Sequence, residues 1–167
     1  EMVEKHDINA CAINPVLVLG PSLTGVLSMS NRLTIKKIFS LPFVPDMAIS
    51  VVGVMDVADA HVRAMESTKS NGKRFLLSEK TIKLVELTKI LKKAGFNKVP
   101  TRVIPNFIFK FLALFTPSLR SIAKRLGTFE KLHTKNANDL LDWFPKSAEI
   151  EIINSAKQLY DVGILKN

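Results

Sequence analysis

Ala12-Ile13-Asn14-Pro15-Val16-Leu17-Val18-Leu19-Gly20-Pro21 decides how the rest of the chain is read. Its apolar run is continuous rather than alternating, which suits a strand covered on both faces, as in a parallel sheet. Gly20-Pro21 closes the run in a rigid turn. Upstream, Glu1 to His6 reads as the tail of a helix, and Asp7 and Asn9 break the chain before a strand over residues 10–19. Helix tail, short turn and buried strand make the second half of a crossover unit. Such a strand needs neighbours, and the chain offers few.

Downstream, strands and helices alternate. Ser22 to Met29 is small and polar, Ser30 is the expected N-cap of a helix over 31–39, and Pro42 and Pro45 end it. Residues 48–54 form a β-branched run. Asp56 then caps a helix with Asp59 in its first turn and Ala58, Val62 and Met65 as its apolar face. Asn71-Gly72 makes a turn and residues 74–77 a short strand. Thr81 caps a helix to Ala94 with Leu84, Leu87 and Leu91 on its stripe and Gly95 at C′. The character then changes to an αα-hairpin. Pro105 opens a helix whose Phe107, Ile108, Phe111, Leu112 and Phe115 share the expected core or lid face, and Pro117 opens a second with Arg120 and Lys124 outward. A short helix over 135–141 and a last one from Ser147 to Asp161 complete the chain.

With 167 residues, 47% of them hydrophobic, the chain is long enough to bury a core. No apolar run reaches the ~18 residues of a membrane span. The expected chain is a soluble piece of a longer protein without a signal peptide. The single cysteine, Cys11, is expected to pack as a small hydrophobe, which favours a cytoplasmic protein. The net charge of +9 is spread over three helices with few interleaved aromatics, so a solvated surface is preferred over a nucleic-acid interface. His61 has no partner at metal-ligand spacing, and the N-terminal helix dipole accounts for Asp56 and Asp59 without catalysis.

Four segments carry a resemblance: residues 13–23, Asp56-Val57-Ala58-Asp59-Ala60-His61-Val62-Arg63-Ala64-Met65, Gly72-Lys73-Arg74-Phe75-Leu76-Leu77 and Leu141-Asp142-Trp143-Phe144-Pro145. In this order they resemble the extended short-chain dehydrogenase/reductases (NAD-dependent epimerase/dehydratase superfamily), in the dihydroflavonol-reductase, cinnamoyl-CoA-reductase and aldehyde-reductase group. The resemblance implies an α/β fold: the C-terminal portion of a Rossmann-type doubly wound sheet plus a mostly helical substrate-binding subdomain. The family's Gly-x-x-Gly-x-x-Gly loop and Tyr-x-x-x-Lys pair have no counterpart, since the only tyrosine, Tyr160, is followed four residues later by Ile164. Residues 1–167 are then expected to be the C-terminal, substrate-side part, with no catalytic residue, and with the nucleotide-binding half outside this sequence.

The resemblance further implies that Pro15 and the backbone N–H of Leu17 hold the nicotinamide of NADP, with NAD as the alternative, and that Ser30 lies near its phosphates. It places Ser22, Thr24 and Ser50 around the substrate pocket. The expected partner is a small hydrophobic aldehyde or ketone, with no nucleic acid, membrane or metal; a homodimer stays open. The chain departs from the family at Met55, where relatives often carry Arg or Asp, and at Asp142, where they usually carry Gly; the second should only alter a turn. A reductase-like protein that senses a dinucleotide or docks a partner without catalysis is the alternative. A third reading is a basic domain using the 105–127 helices on anionic lipid or nucleic acid.

Overall fold

The opening stretch is one extended run that serves two sheets. A bend at Val16 divides it into β1 (Ala12–Pro15) and β2 (Leu17–Leu19). β1 lies parallel to β5 (Arg74–Leu77), with Ile13 opposite Phe75, and β2 lies parallel to β4 (Ala48–Gly53), with Val18 opposite Val52. Val16 joins the two pairings, its N–H donating to the Leu77 carbonyl at 3.0 Å. β6 (Lys80–Lys83) pairs antiparallel with β4, and β3 (Val44–Pro45) pairs parallel with β7 (Val103–Ile104). This computed structural model describes residues 9–24, 26 and 28–165, so the expected helix tail at Glu1 to His6 and the break at Asp7 lie outside the described residues.

Seven helices complete the described residues. α1 begins as a π-helical segment, Asn31–Lys36, and continues as an α-helical turn, Lys37–Phe39. α2 is Val54–Glu66, α3 Leu84–Lys93, α4 Asn106–Phe115, α5 Pro117–Ala123, α6 Lys135–Leu141 and α7 Ala148–Asp161. The architecture is α/β with mainly parallel pairings, as expected.

Two cores flank the sheet that β4 shares. Successive strand residues face opposite ways, so Val51 enters a core with Leu19, Leu87, Leu91, Ile152 and Leu159, while Val52 enters another with Ala60, Phe75, Leu77 and Trp143. The opening strand itself is less covered than its composition suggests. β1 and most of β2 are half-buried, Pro15 is exposed, and burial is complete only at Leu19 and Gly20. Among the described residues β1 has a strand on one edge alone. Cys11 precedes the paired region and is exposed, which corrects its expected packing in the core.

The sequence-based boundaries hold for β4, β5, α6 and α7, and Ser147 caps α7 by accepting the Glu149 N–H at 3.3 Å. Three caps move. Ser30 is already helical and makes no capping bond; the Ser28 hydroxyl accepts from the Asn31 N–H at 3.1 Å instead. Gly53 precedes α2, and Asp56, inside its first turn, accepts the backbone N–H of Lys146 at 3.1 Å. Thr81 lies in β6, and α3 starts after Lys83, whose N–H donates to Glu86 at 3.2 Å.

Two helix faces are also reversed. In α2 the buried stripe is Asp56, Ala60 and Ala64, while Val62 and Met65 are exposed. In α4 only Phe109 and Ala113 are buried. Close approach to a neighbour favours a small side chain, so alanine takes the inward position and the larger apolar groups are left outside.

Asp142 ends α6 in the left-handed region, with φ 50° and ψ 38°, where a Cβ is unfavourable and glycine is at ease. This accounts for the glycine usual there in the resembled family. Arg63 holds the turn through the Leu141 and Asp142 carbonyls at 3.3 and 2.8 Å, bonds that a glycine would keep. Asp142→Gly is therefore expected to stabilise the fold by about 0.5–1 kcal/mol, read as a raised melting temperature.

Candidate functional site

Where β1 gives way to β2, the chain borders a cavity of about 530 Å³. Val16 and Leu17 form one wall and Met47, Ile49 and Ser50 of the β4 region another. The π-helical opening of α1 and its continuation present Leu33, Thr34, Lys37 and Ile38, while α5 and the segment after it bring Ile122, Arg125, Glu130 and Leu132. The lining is mostly aliphatic, with polar groups concentrated at Thr34, Lys37, Ser50, Arg125 and Glu130. Such a surface suits an apolar ligand oriented by a few polar contacts.

Ser50 is held in a defined chain of hydroxyls. The Thr81 hydroxyl donates to the Glu130 carbonyl at 2.7 Å, which uses its only proton. At 2.8 Å from Thr81 Oγ1, the Ser50 hydroxyl must therefore be the donor of that pair. It keeps lone pairs for a ligand and no proton. In this arrangement Ser50 accepts from a ligand hydroxyl or N–H; it does not polarise a carbonyl.

Of the residues singled out from sequence, Leu17 and Ser50 meet in this cavity. Pro15 ends β1 next to it, its ring exposed. Ser22 is turned to α7: its N–H donates to Gln158 Oε1 at 2.8 Å, and its carbonyl accepts from Gln158 Nε2 at 2.7 Å. Its hydroxyl contacts that of exposed Thr24 at 3.2 Å. Ser30 sits at the start of α1, outside the lining. Gly20 fixes this loop from within, donating to Ser155 Oγ at 2.8 Å and accepting from the buried Asn31 amide at 2.9 Å.

Lys37 and Arg125 are the polar residues that sequence reading missed. Each stands among other cations, Lys36-Lys37 and Lys124-Arg125, and reads as solvated charge. Only the fold, which brings the segment after α5 over the cavity that α1 also borders, makes them neighbours, and no local spacing announces that.

A second group of charges lies behind the loop, where Asp56, Glu79 and Glu151 approach the ends of β2 and β4. Burial raises the Glu151 carboxyl above its ordinary range, the charge of Asp56 adds to the rise, and Lys146 opposes it. Asp56 and Glu79 are likewise raised chiefly by burial. One carboxylate oxygen of Glu151 is buried with no hydrogen-bond partner among the described residues. A carboxyl raised on folding stabilises most below its unfolded value, and that contribution is lost as pH rises through its folded value. Glu151→Gln removes the charge, so it is expected to raise the melting temperature near neutral pH. The gain should shrink to nothing in a melt at about pH 4, where the wild-type carboxyl is also protonated. Among the described residues no three His, Cys, Asp or Glu side chains gather as metal ligands do.

Comparison with known proteins adds a family to this geometry. No protein-family model matches the chain. An uncharacterized oxidoreductase of Schizosaccharomyces pombe is 32% identical over 132 residues, covering 70% of this chain and 38% of that protein. A cinnamoyl-CoA reductase of Medicago truncatula is 32% identical over 93 residues, 56% of this chain and 28% of that protein. The chain thus spans well under half the length of these relatives. Among solved structures, the yeast methylglyoxal/isovaleraldehyde reductase Gre2, complexed with NADPH, shares the fold at a TM-score of 0.70 and 22% identity, over 98% of this chain and 48% of that one. The Thermotoga maritima UDP-glucose 4-epimerase does so at 0.67 and 18%, over 96% and 48%. Sequence and fold agree that the chain belongs to the extended short-chain dehydrogenase/reductase family, the NAD-dependent epimerase/dehydratase superfamily.

Proposed function

We propose that the chain is the C-terminal, substrate-side part of a cytoplasmic, NADP(H)-dependent reductase whose substrate is a small hydrophobic aldehyde or ketone. The observation that carries this reading is the mostly aliphatic cavity bordered by Leu17 and Ser50 at the junction of β1 and β2. Its volume suits a compact ligand, and its aliphatic walls favour an apolar one over a sugar.

Bound NADPH would supply the hydride. The residues present fit the ring side of that cofactor: Pro15 offers an exposed ring at the strand end, and Leu17 an apolar wall two residues on. Ser50 orients the substrate through a hydroxyl or N–H, and Lys37 and Arg125 favour one with an electron-rich end. The proton for the reduced oxygen comes from a residue outside this sequence, since no Tyr-x-x-x-Lys pair lies within it. The edge of β1 that carries no strand among the described residues, together with the roughly half-length match to Gre2, supports a sheet continued by another segment.

The test is a titration of the isotopically labelled chain with a panel of short aliphatic aldehydes, with and without a hydroxyl group, and with NADPH. Aldehyde-dependent shifts at the Leu17 and Ser50 amides without turnover are expected. Steady NADPH oxidation by the chain alone would overturn the placement of the chemistry elsewhere, and shifts confined to residues outside the cavity would overturn the site.

A further inference from the structure

The α4–α5 hairpin turns its largest apolar side chains to solvent. Phe107 is 74% exposed, Phe111 61%, Leu114 66% and Phe115 73%, and the Phe111 and Phe115 rings meet edge to face with centroids 5.3 Å apart. Neither of the two cores includes a residue of α4 or α5. The hairpin packs mainly on itself, with Phe109 and Ala113 inward, and is tied back beyond α5 by the Gly127 N–H donating to the Asp46 carbonyl at 2.7 Å. At ~100° per residue, Phe107, Phe111, Leu114 and Phe115 fall on one broad face of α4 opposite that stripe.

The charge around this face has one sign. From Arg102 to Phe129 the sequence holds Arg102, Lys110, Arg120, Lys124 and Arg125, and no acidic residue. Lys110 lies on the flank of the Phe face, in a position from which its ammonium reaches past the apolar side chains. Arg120 donates to the Ala113 and Leu114 carbonyls at 3.3 and 3.1 Å, which fixes a guanidinium beside Leu114 and Phe115. Lys124, four residues on, continues the row just past the end of α5.

Exposed aromatic and aliphatic side chains with a basic flank and no acid among them complement a membrane surface of anionic phospholipids. We propose that the α4–α5 hairpin is a peripheral membrane-docking element. Phe107, Phe111, Leu114 and Phe115 enter the boundary between headgroups and acyl chains, and Lys110, Arg120 and Lys124 lie against the phosphates. No helix among the described residues is long and apolar enough to cross a membrane, so the contact is one of lying on the surface. This takes up the third sequence-based reading, the 105–127 helices on anionic lipid, against the preferred expectation of no membrane partner. It does not depend on the reductase reading.

Flotation with phosphatidylcholine vesicles, with and without about 30% phosphatidylserine, tests it. The chain is expected to float with the anionic vesicles, to float less with neutral ones, and to lose binding as salt screens the surface. The double substitution Phe111→Glu and Phe115→Glu should weaken binding at least ~10-fold. Lys110→Glu with Lys124→Glu should weaken it at least ~10-fold as well. Both pairs are exposed, so circular dichroism should show an unchanged melt; if one pair unfolds the chain, the other decides. Absence of flotation at low salt, or equal flotation of folded variants and wild type, would overturn the proposal. So would a wild-type dimer that Phe111→Glu and Phe115→Glu make monomeric without any vesicle binding, which would assign the face to a second copy of this chain.

Discussion

Replacing Trp143 with alanine is expected to lower the unfolding free energy by about 4 kcal/mol. Trp143 is fully buried, at the centre of the core built by Val52, Ala60, Ala64, Phe75, Leu77, Ala137 and Leu141. The substitution removes the largest side chain of that core, and the rigid strands and helices around it close the void only in part. It also removes a donor: the indole N–H reaches the Asp56 carbonyl at 2.8 Å, in the first turn of α2. A total stability of about 5–15 kcal/mol makes such a loss decisive. Trp143→Phe separates the two effects. It retains most of the apolar volume and loses only the indole donor, since the Asp56 carbonyl keeps its place in the α2 ladder, and should cost about 1 kcal/mol. Because Trp143 is the only tryptophan, urea denaturation has to be followed by circular dichroism rather than by indole fluorescence. Equal losses in the two variants would mean that the hydrogen bond, not the volume, carries the effect.

Gly20→Ala is expected to cost about 3 kcal/mol. Gly20 has φ +142°, a conformation that side chains rarely adopt, and a Cβ there would lie 2.4 Å from Val54 Cγ1 and 2.8 Å from Glu151 Oε2. The loop that Gly20 anchors through Ser155 and Asn31 would have to move away from α2 and α7. Gly72 is the control, since its φ is +68° and a Cβ would meet nothing within 4 Å. Gly72→Ala should therefore cost only about 1 kcal/mol, from backbone strain alone. Denaturation midpoints of the two variants, measured side by side, separate crowding at the end of β2 from the general cost of placing alanine at positive φ.

What the sequence made legible was local. Turn residues and apolar periodicity delimit β4, β5, α6 and α7, because a strand end or a cap is decided within a few residues. The inward faces of α2 and α4 were not legible. Each helix carries two apolar stripes, and the choice between them rests on how closely a neighbour approaches, which Ala60, Ala64 and Ala113 permit. The cap of α1 moved from Ser30 to Ser28 because both serines suit the role and the π-helical opening decides. Leu17 and Ser50 were found through the family resemblance, not through their own spacing. Lys37 and Arg125 escaped notice because a cation facing a cavity and a cation facing water look alike in one dimension.

The shared strand has a consequence for cooperativity. β1 and β2 are one extended run, so the Trp143 core and the Leu87–Ile152 core are stitched by the same eight residues, 12–19. A slip of one residue along β5 would be carried through Val16 into the pairing with β4 and would turn Val18 and Leu19 to the wrong sides. Neither sheet can re-register alone. The two cores then open as a single unit in native-state hydrogen exchange, with the amides of Ile13 and Val18 sharing one opening free energy.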